Sequence, residues 1–150
     1  MKPVIILYMA LCVLPLEAEM NKAIYFHHIG AQYEPFRIIV ITTERDETEF
    51  DKNGDSPYKY CTVDGDVFDE IKTFIQETKL VTRNLREDLR DYGSFEVVIE
   101  EGEKISYYIP GSYLSLSFFY QLIKRLSEKG LDWLAEELDT AYFRRLIYIY

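Results

Sequence analysis

In the second half of the chain, apolar and polar positions alternate along two short runs. Phe95, Val97 and Ile99 are separated by Glu96, Val98 and Glu100. Beyond Glu101-Gly102, Ile105, Tyr107 and Ile109 alternate with Lys104, Ser106 and Tyr108. A period of two sends successive side chains to opposite faces, so the two runs predict a β-hairpin with one covered face. Nearer the start, residues 23–29 (AIYFHHI) and 36–43 (FRIIVITT) are β-branched and aromatic, with Gly30 and Pro35 in the gap between them. They predict two paired strands. From Ile38 to Ile41 the second run is apolar without alternation, as expected of a strand covered on both faces. Asn53-Gly54 is a turn signal leading into a further strand over 58–63.

The period then changes. Val67, Phe68, Ile71, Phe74, Ile75 and Thr78 recur at helical spacing behind Asp66, which suits an N-cap. Val81, Leu85, Leu89 and Tyr92 continue a drifting stripe up to Gly93, which predicts one long helix or two joined near Thr82. After Pro110-Gly111 the pattern predicts helices over about 113–128 and 131–145, with Ser112 as N-cap of the first and Gly130 as a left-handed cap between them. The element order is β-β-β-α-β-β-α-α. Short hairpin connections favour an α+β fold, a mostly antiparallel sheet of about five strands with helices packed on one face.

The opening segment MKPVIILYMALCVLPLEAEM has a basic residue, Lys2, then a run from Val4 to Leu16 that is apolar apart from Pro15, then Ala18 before a cleavable bond. That pattern predicts a signal peptide over 1–18 and a single α+β domain over 19–150, hence a periplasmic or secreted protein. The alternatives are a buried first element of a cytoplasmic protein, or a true start at Met20. A lipid anchor at Cys12 fails because bulky Leu11 precedes it, and a membrane span fails because about 20 apolar residues are needed to cross a bilayer.

Charge narrows the partners. The chain carries a formal −9, which argues against a phosphate-backbone binder, since that needs clustered Lys and Arg to displace counterions, so no nucleic-acid partner is expected. A basic protein is the compatible partner. Loss of residues 1–18 would leave Cys61 as the lone cysteine, with no intramolecular disulfide and no cysteine-based metal site.

Candidate chemistry is sparse. His27-His28 invites a metal or acid–base reading, yet neighbours on a strand point to opposite faces, and no H-x-H or H-E-x-x-H spacing brings a second ligand. Asp51-Lys52-Asn53-Gly54-Asp55 has alternating oxygen donors, but the glycine falls at the fourth position of a calcium loop and Thr62 at the twelfth. Ser115 and Ser117 lack the G-x-S-x-G setting, and Pro110-Gly111-Ser112 lacks the lysine of a phosphate loop. Arg83, Arg86 and Arg90 would share a helical face, interleaved with Glu87, Asp88 and Asp91 as ion-pair partners. No metal or cofactor is expected. For catalysis only His28 and Tyr108 can be named.

Two stretches suit contact better than chemistry. Glu44, Asp46, Glu47, Glu49, Asp51 and Asp55 make 44–55 the most acidic surface stretch and the candidate partner-binding segment. The apolar tail FRRLIYIY is expected to dock on the core, as a strand, rather than stand exposed. The expected function is that of a small exported, non-catalytic binding or accessory protein acting through protein–protein contact. The alternative is a cytoplasmic acidic inhibitor or immunity-type protein that neutralises a basic protein. The third reading is a hydrolase using His28 with a carboxylate from a neighbouring strand.

Overall fold

The computed structural model describes residues 22–29, 36–44, 58–85 and 93–149. The expected signal peptide, the Asn53-Gly54 turn and the expected arginine positions 86 and 90 lie outside the described residues. The strands are β1 (Lys22–Ile29), β2 (Ile38–Thr42), β3 (Tyr58–Thr62), β4 (Ser94–Glu101) and β5 (Glu103–Ile109). They form one five-stranded sheet in the order β3-β2-β1-β4-β5, antiparallel except for β2 and β3. That parallel pair departs from hairpin connectivity throughout. A tight two-residue turn can only reverse a chain, whereas residues 43–57 are enough to return it to the start of a parallel neighbour.

Helix α1 (Gly65–Glu77) follows β3, and α2 (Gly111–Glu128) follows β5. Then come α3 (Asp132–Leu138), a π-helical turn (Asp139–Phe143) and α4 (Arg144–Ile149). All the described helices pack on one face of the sheet. Phe68, Ile71, Phe74 and Ile75 of α1 meet Phe118, Phe119, Leu122 and Leu126 of α2 in one core with Ile24, Phe26, Ile39, Ile41, Phe95, Val97 and Ile109 of the strands. Phe26, Phe95, Phe118, Phe119 and Tyr142 form a continuous ring cluster, with centroids 4.8–6.5 Å apart and mostly tilted or edge-on. Offset and edge-on contacts are the favoured aromatic geometries, so the core derives much of its shape specificity from rings.

The long-helix expectation fails after Glu77. Thr78 is extended (φ −68°, ψ 143°), and Thr82 exchanges two backbone hydrogen bonds with Tyr108 on the outer edge of β5, at 2.8 and 2.7 Å. Val81 and Thr82 are β-branched and suit an extended edge partner better than a helix. The stripe that looked helical is partly a second contact with the core, because Leu80 and Val81 pack against it. Asp66 lies in the first turn of α1 rather than at its cap, which is Asp64. Likewise Ser112 lies inside α2, and Pro110 takes the cap position.

At the other end the tail does dock, but as helix. Leu146 is fully buried and Phe143 packs against the core, while Ile147 and Tyr148 are exposed. The π turn interrupts the helix expected over 131–145 and places Tyr142 at the centre of the core. Its hydroxyl accepts a hydrogen bond from the Ile39 N–H at 2.7 Å and lies 3.4 Å from the Phe26 carbonyl. Burial holds that phenol well above the usual tyrosine range. Gly93 (φ 84°) is required where β4 begins: a Cβ there would lie 2.7 Å from the Cα and Cβ of Ser112.

Candidate functional site: the outer face of the sheet

Strand alternation sends every second residue of the sheet away from the helices. The register aligns these residues in rows that cross all five strands. One row reads Tyr60, Val40, Tyr25, Val98, Ser106. Beside it, Tyr58 pairs with Ile38, and Glu96 pairs with His27 on one side and Tyr108 on the other. On the other side run Thr62, Thr42, Ala23, Glu100 and Lys104. No described helix covers this face.

Its aromatic residues form two walls. Tyr25 and His27 on β1 stack at 6.0 Å with ring planes 20° apart, and Tyr58 and Tyr60 on β3 stack at 6.5 Å with planes 27° apart. Between them β2 contributes Ile38, half-buried, and Val40, buried, as an aliphatic floor. Alternate strands lie roughly 10 Å apart, so the two ring pairs flank β2, where Val40 is covered (1% exposed). Beyond the β1 wall stand the carboxylates of Glu96 and Glu100. Glu96 accepts a hydrogen bond from the Ser106 hydroxyl at 2.9 Å. Burial, followed by the charge of Glu100, pushes the Tyr25 phenol up to about 12, so it stays protonated.

The two residues named for catalysis do not converge. His28 pairs with Phe95, and Phe95 with Ile109, so His28 faces the helices, whereas Tyr108 faces away from them. The His28 ring lies 4.1 Å from Phe36 and 4.9 Å from Phe95, with both nitrogens buried and without hydrogen-bond partners. Burial, assisted by the charge of Arg145, lowers its pKa to about 4. Among the described residues it is a neutral ring packed against aromatics, with no carboxylate among the causes of its shift to act as an orienting partner. Tyr108 is held at the sheet edge through its backbone bonds to Thr82.

The remaining polar candidates are structural. Ser115 is buried and hydrogen-bonded to the carbonyls of Gly93 and Gly111, which ties α2 to the start of β4. Arg83 lies over the Tyr107 ring at 5.5 Å instead of on a helical face. Cys61 is free and buried, and its thiol is pushed up to about 11 by burial and then by Glu137, far from a reactive thiolate. Among the described residues no group of His, Cys, Asp and Glu is arranged to hold a metal ion. One cleft, between the end of α1 and α2, is lined by Phe74, Glu77, Thr78, Lys79, Gln121 and Arg125. Arg125 there already lies over Phe74 and pairs with Glu70, and no nucleophile faces a base.

Of the acidic partner-binding candidates, Glu44 is described. It is exposed at the end of β2, and its N–H reaches the Thr42 hydroxyl at 3.2 Å. Asp46, Glu47, Glu49, Asp51 and Asp55 lie outside the described residues. The outer-face tyrosines were missed as a site, although their signal was present as aromatic residues two apart: Tyr25-x-His27 and Tyr58-x-Tyr60. That spacing is informative only once the register shows the two pairs flanking one strand.

Fold and surface together define a two-layer α+β protein whose sheet presents an aromatic outer face. Among the described residues no helix is long and apolar enough to cross a membrane. No protein-family model, curated protein or solved structure matches the chain.

Proposed function

We propose that this protein is a small, exported, non-catalytic binding protein that works through protein–protein contact, using the outer face of its sheet. The observation that carries this reading is the two stacked ring pairs on that face, Tyr25 with His27 and Tyr58 with Tyr60, on either side of Ile38 and Val40. Tyrosine supplies large contact area with few torsions to immobilise, and adjacent polar tips supply hydrogen bonds, which is the composition of recognition surfaces. The dispersal of His28, Tyr108 and the serines supports a role without catalysis. Export rests on the leader pattern of residues 1–18.

Two measurements test the two parts. Native protein, Tyr60→Ser/His27→Ser and a helix-layer control, Tyr113→Ser, are compared as baits in their own extracellular milieu. A partner retained by native and control but lost from the sheet-face variant is the expected result. Equal retention by all three removes the face from the proposal. Separately, a mature terminus at Glu19 is expected, and a terminus at Met1 or Met20 rejects export.

A further inference from the structure

The pairing of β1 with β2 stops short of the ends of both strands. β1 runs to Ile29 against β4, and β2 starts at Ile38 against β3, yet the two pair with each other only over Ala23–Tyr25 and Val40–Thr42. The next pair in that register is Phe26 with Ile39, and the one after it His27 with Ile38. Backbone groups alternate in direction along a strand. The Thr42 carbonyl accepts from the Val63 N–H at the end of β3, so Thr42 points to β3 and Ile39, at odd spacing from it, points to β1. A regular ladder would join the Ile39 N–H to the Phe26 carbonyl. The Tyr142 hydroxyl stands there instead, accepting from the Ile39 N–H at 2.7 Å and donating to the Phe26 carbonyl at 3.4 Å. One ladder bond is replaced by a hydroxyl bridge, which spans more distance than a bond. Burial keeps the phenol protonated, so it has a proton to give. The second leg is long for an O–H···O bond and holds the Phe26 carbonyl loosely.

The bridging residue belongs to the C-terminal segment, the π turn and α4. That segment buries Tyr142 and Leu146 and leaves Arg144, Ile147 and Tyr148 exposed on its outer side. Without the hydroxyl, the two strands hold what another ladder step needs: a donor on Ile39, an acceptor on Phe26, and β-branched and aromatic side chains. Exchanging one hydrogen-bond partner for another changes little in net energy. Burial of the Tyr142 and Leu146 side chains is therefore what keeps the strands apart. We propose that the C-terminal segment is a wedge: docked, its Tyr142 hydroxyl holds β1 and β2 open by one ladder step, and undocked, it lets Ile39 bond directly to Phe26. His27 and Ile38, the next opposed positions, lie on the outer face, so closure draws them together and alters the surface proposed for protein contact. Only that consequence rests on the protein-binding reading; the wedge itself does not.

Nitrogen–carbonyl coupling across hydrogen bonds, read by NMR, reports which acceptor an amide uses. The native protein is expected to show none between the Ile39 nitrogen and the Phe26 carbonyl carbon. Tyr142→Phe, which keeps the ring, is expected to show it, with the amide signals of His27 and Ile38 shifted. A coupling in the native protein, or none in folded Tyr142→Phe, overturns the wedge. A coupling gained while His27 and Ile38 stay unmoved overturns its link to the outer face. Leu146→Val loosens the segment but keeps the hydroxyl, and so tests the same point should Tyr142→Phe not fold. In that variant the Tyr142 hydroxyl proton is expected to exchange about fivefold faster, the effect of trimming one buried carbon. The Ile39 amide is expected to stay as protected as the β4 amides, because it gains the Phe26 carbonyl as it loses the hydroxyl. Acceleration of both protons, or of neither, overturns the proposal. No partner enters these readouts, so the sheet-face bait can fail while the wedge stands, and the reverse.

Discussion

His28 sits between Phe36 and Phe95 with neither ring nitrogen hydrogen-bonded, so a proton on it would carry charge into an apolar setting with Arg145 nearby. Its pKa falls from 6.5 to about 4 on folding. Between those values the unfolded chain binds the proton and the folded chain does not. Folding stability therefore holds in full above pH 6.5, declines as pH falls through the window, and levels near pH 4 as far as this group is concerned. His28→Phe keeps a planar ring and removes the titration. Urea unfolding midpoints at pH 7 and pH 4.5 are expected to differ less in the variant than in the native protein. An unchanged difference would assign the acid sensitivity to other groups.

At the scale of elements, the π turn is the feature with the clearest consequence. One extra residue within a helix rotates everything after it by about 100° relative to an α-helix. Here that rotation belongs to the segment holding Tyr142 and Leu146 in the core. Thr140 is exposed within the turn. Deleting it converts the π turn to α-helix and must turn either the Tyr142–Leu146 stripe or the Leu134–Leu138 stripe away from the sheet. Loss of cooperative unfolding, or a loss of stability of at least about 3 kcal/mol, is expected in denaturant titrations. Substituting Thr140→Ala, which keeps the count, should change stability by less than about 1 kcal/mol. The π turn was not legible in the sequence, because a one-residue insertion shifts an apolar stripe by an amount that end effects and chance also produce. The 95–109 hairpin was legible: every second residue is apolar, and that face is buried apart from the half-buried Ile105. The 78–85 segment misled for the opposite reason. Val81 and Leu85 extend a helical stripe in spacing, yet the pairing of Thr82 with Tyr108 is long-range, and local periodicity carries no record of such pairing. The parallel placement of β3 was hidden in the same way, since a strand's own pattern does not state which neighbour it joins. For the candidate site the limit was register. Each tyrosine could be assigned to a strand, but not to a row.

The whole molecule is asymmetric across its sheet. One face meets the helices through rings that are wholly buried, such as Phe26, Phe95 and Phe119; the other presents half-buried tyrosines, His27 and carboxylates. A sheet whose outer face served only solvation would gain nothing from keeping its rings stacked in pairs there, and replacing one should leave folding nearly intact. The same asymmetry therefore separates stability from recognition experimentally. Phe119→Ala empties a site among Phe26, Phe95, Phe118 and Tyr142 and is expected to cost about 3–5 kcal/mol. Tyr60→Ser trims a half-buried ring on an edge strand and is expected to cost about 1 kcal/mol or less. Guanidinium unfolding of the two variants beside the native chain measures both. A Tyr60→Ser loss close to that of Phe119→Ala would mean that the outer rings form a second core. The paired rings would then be explained by folding, and the case for recognition on that face would lose its main support.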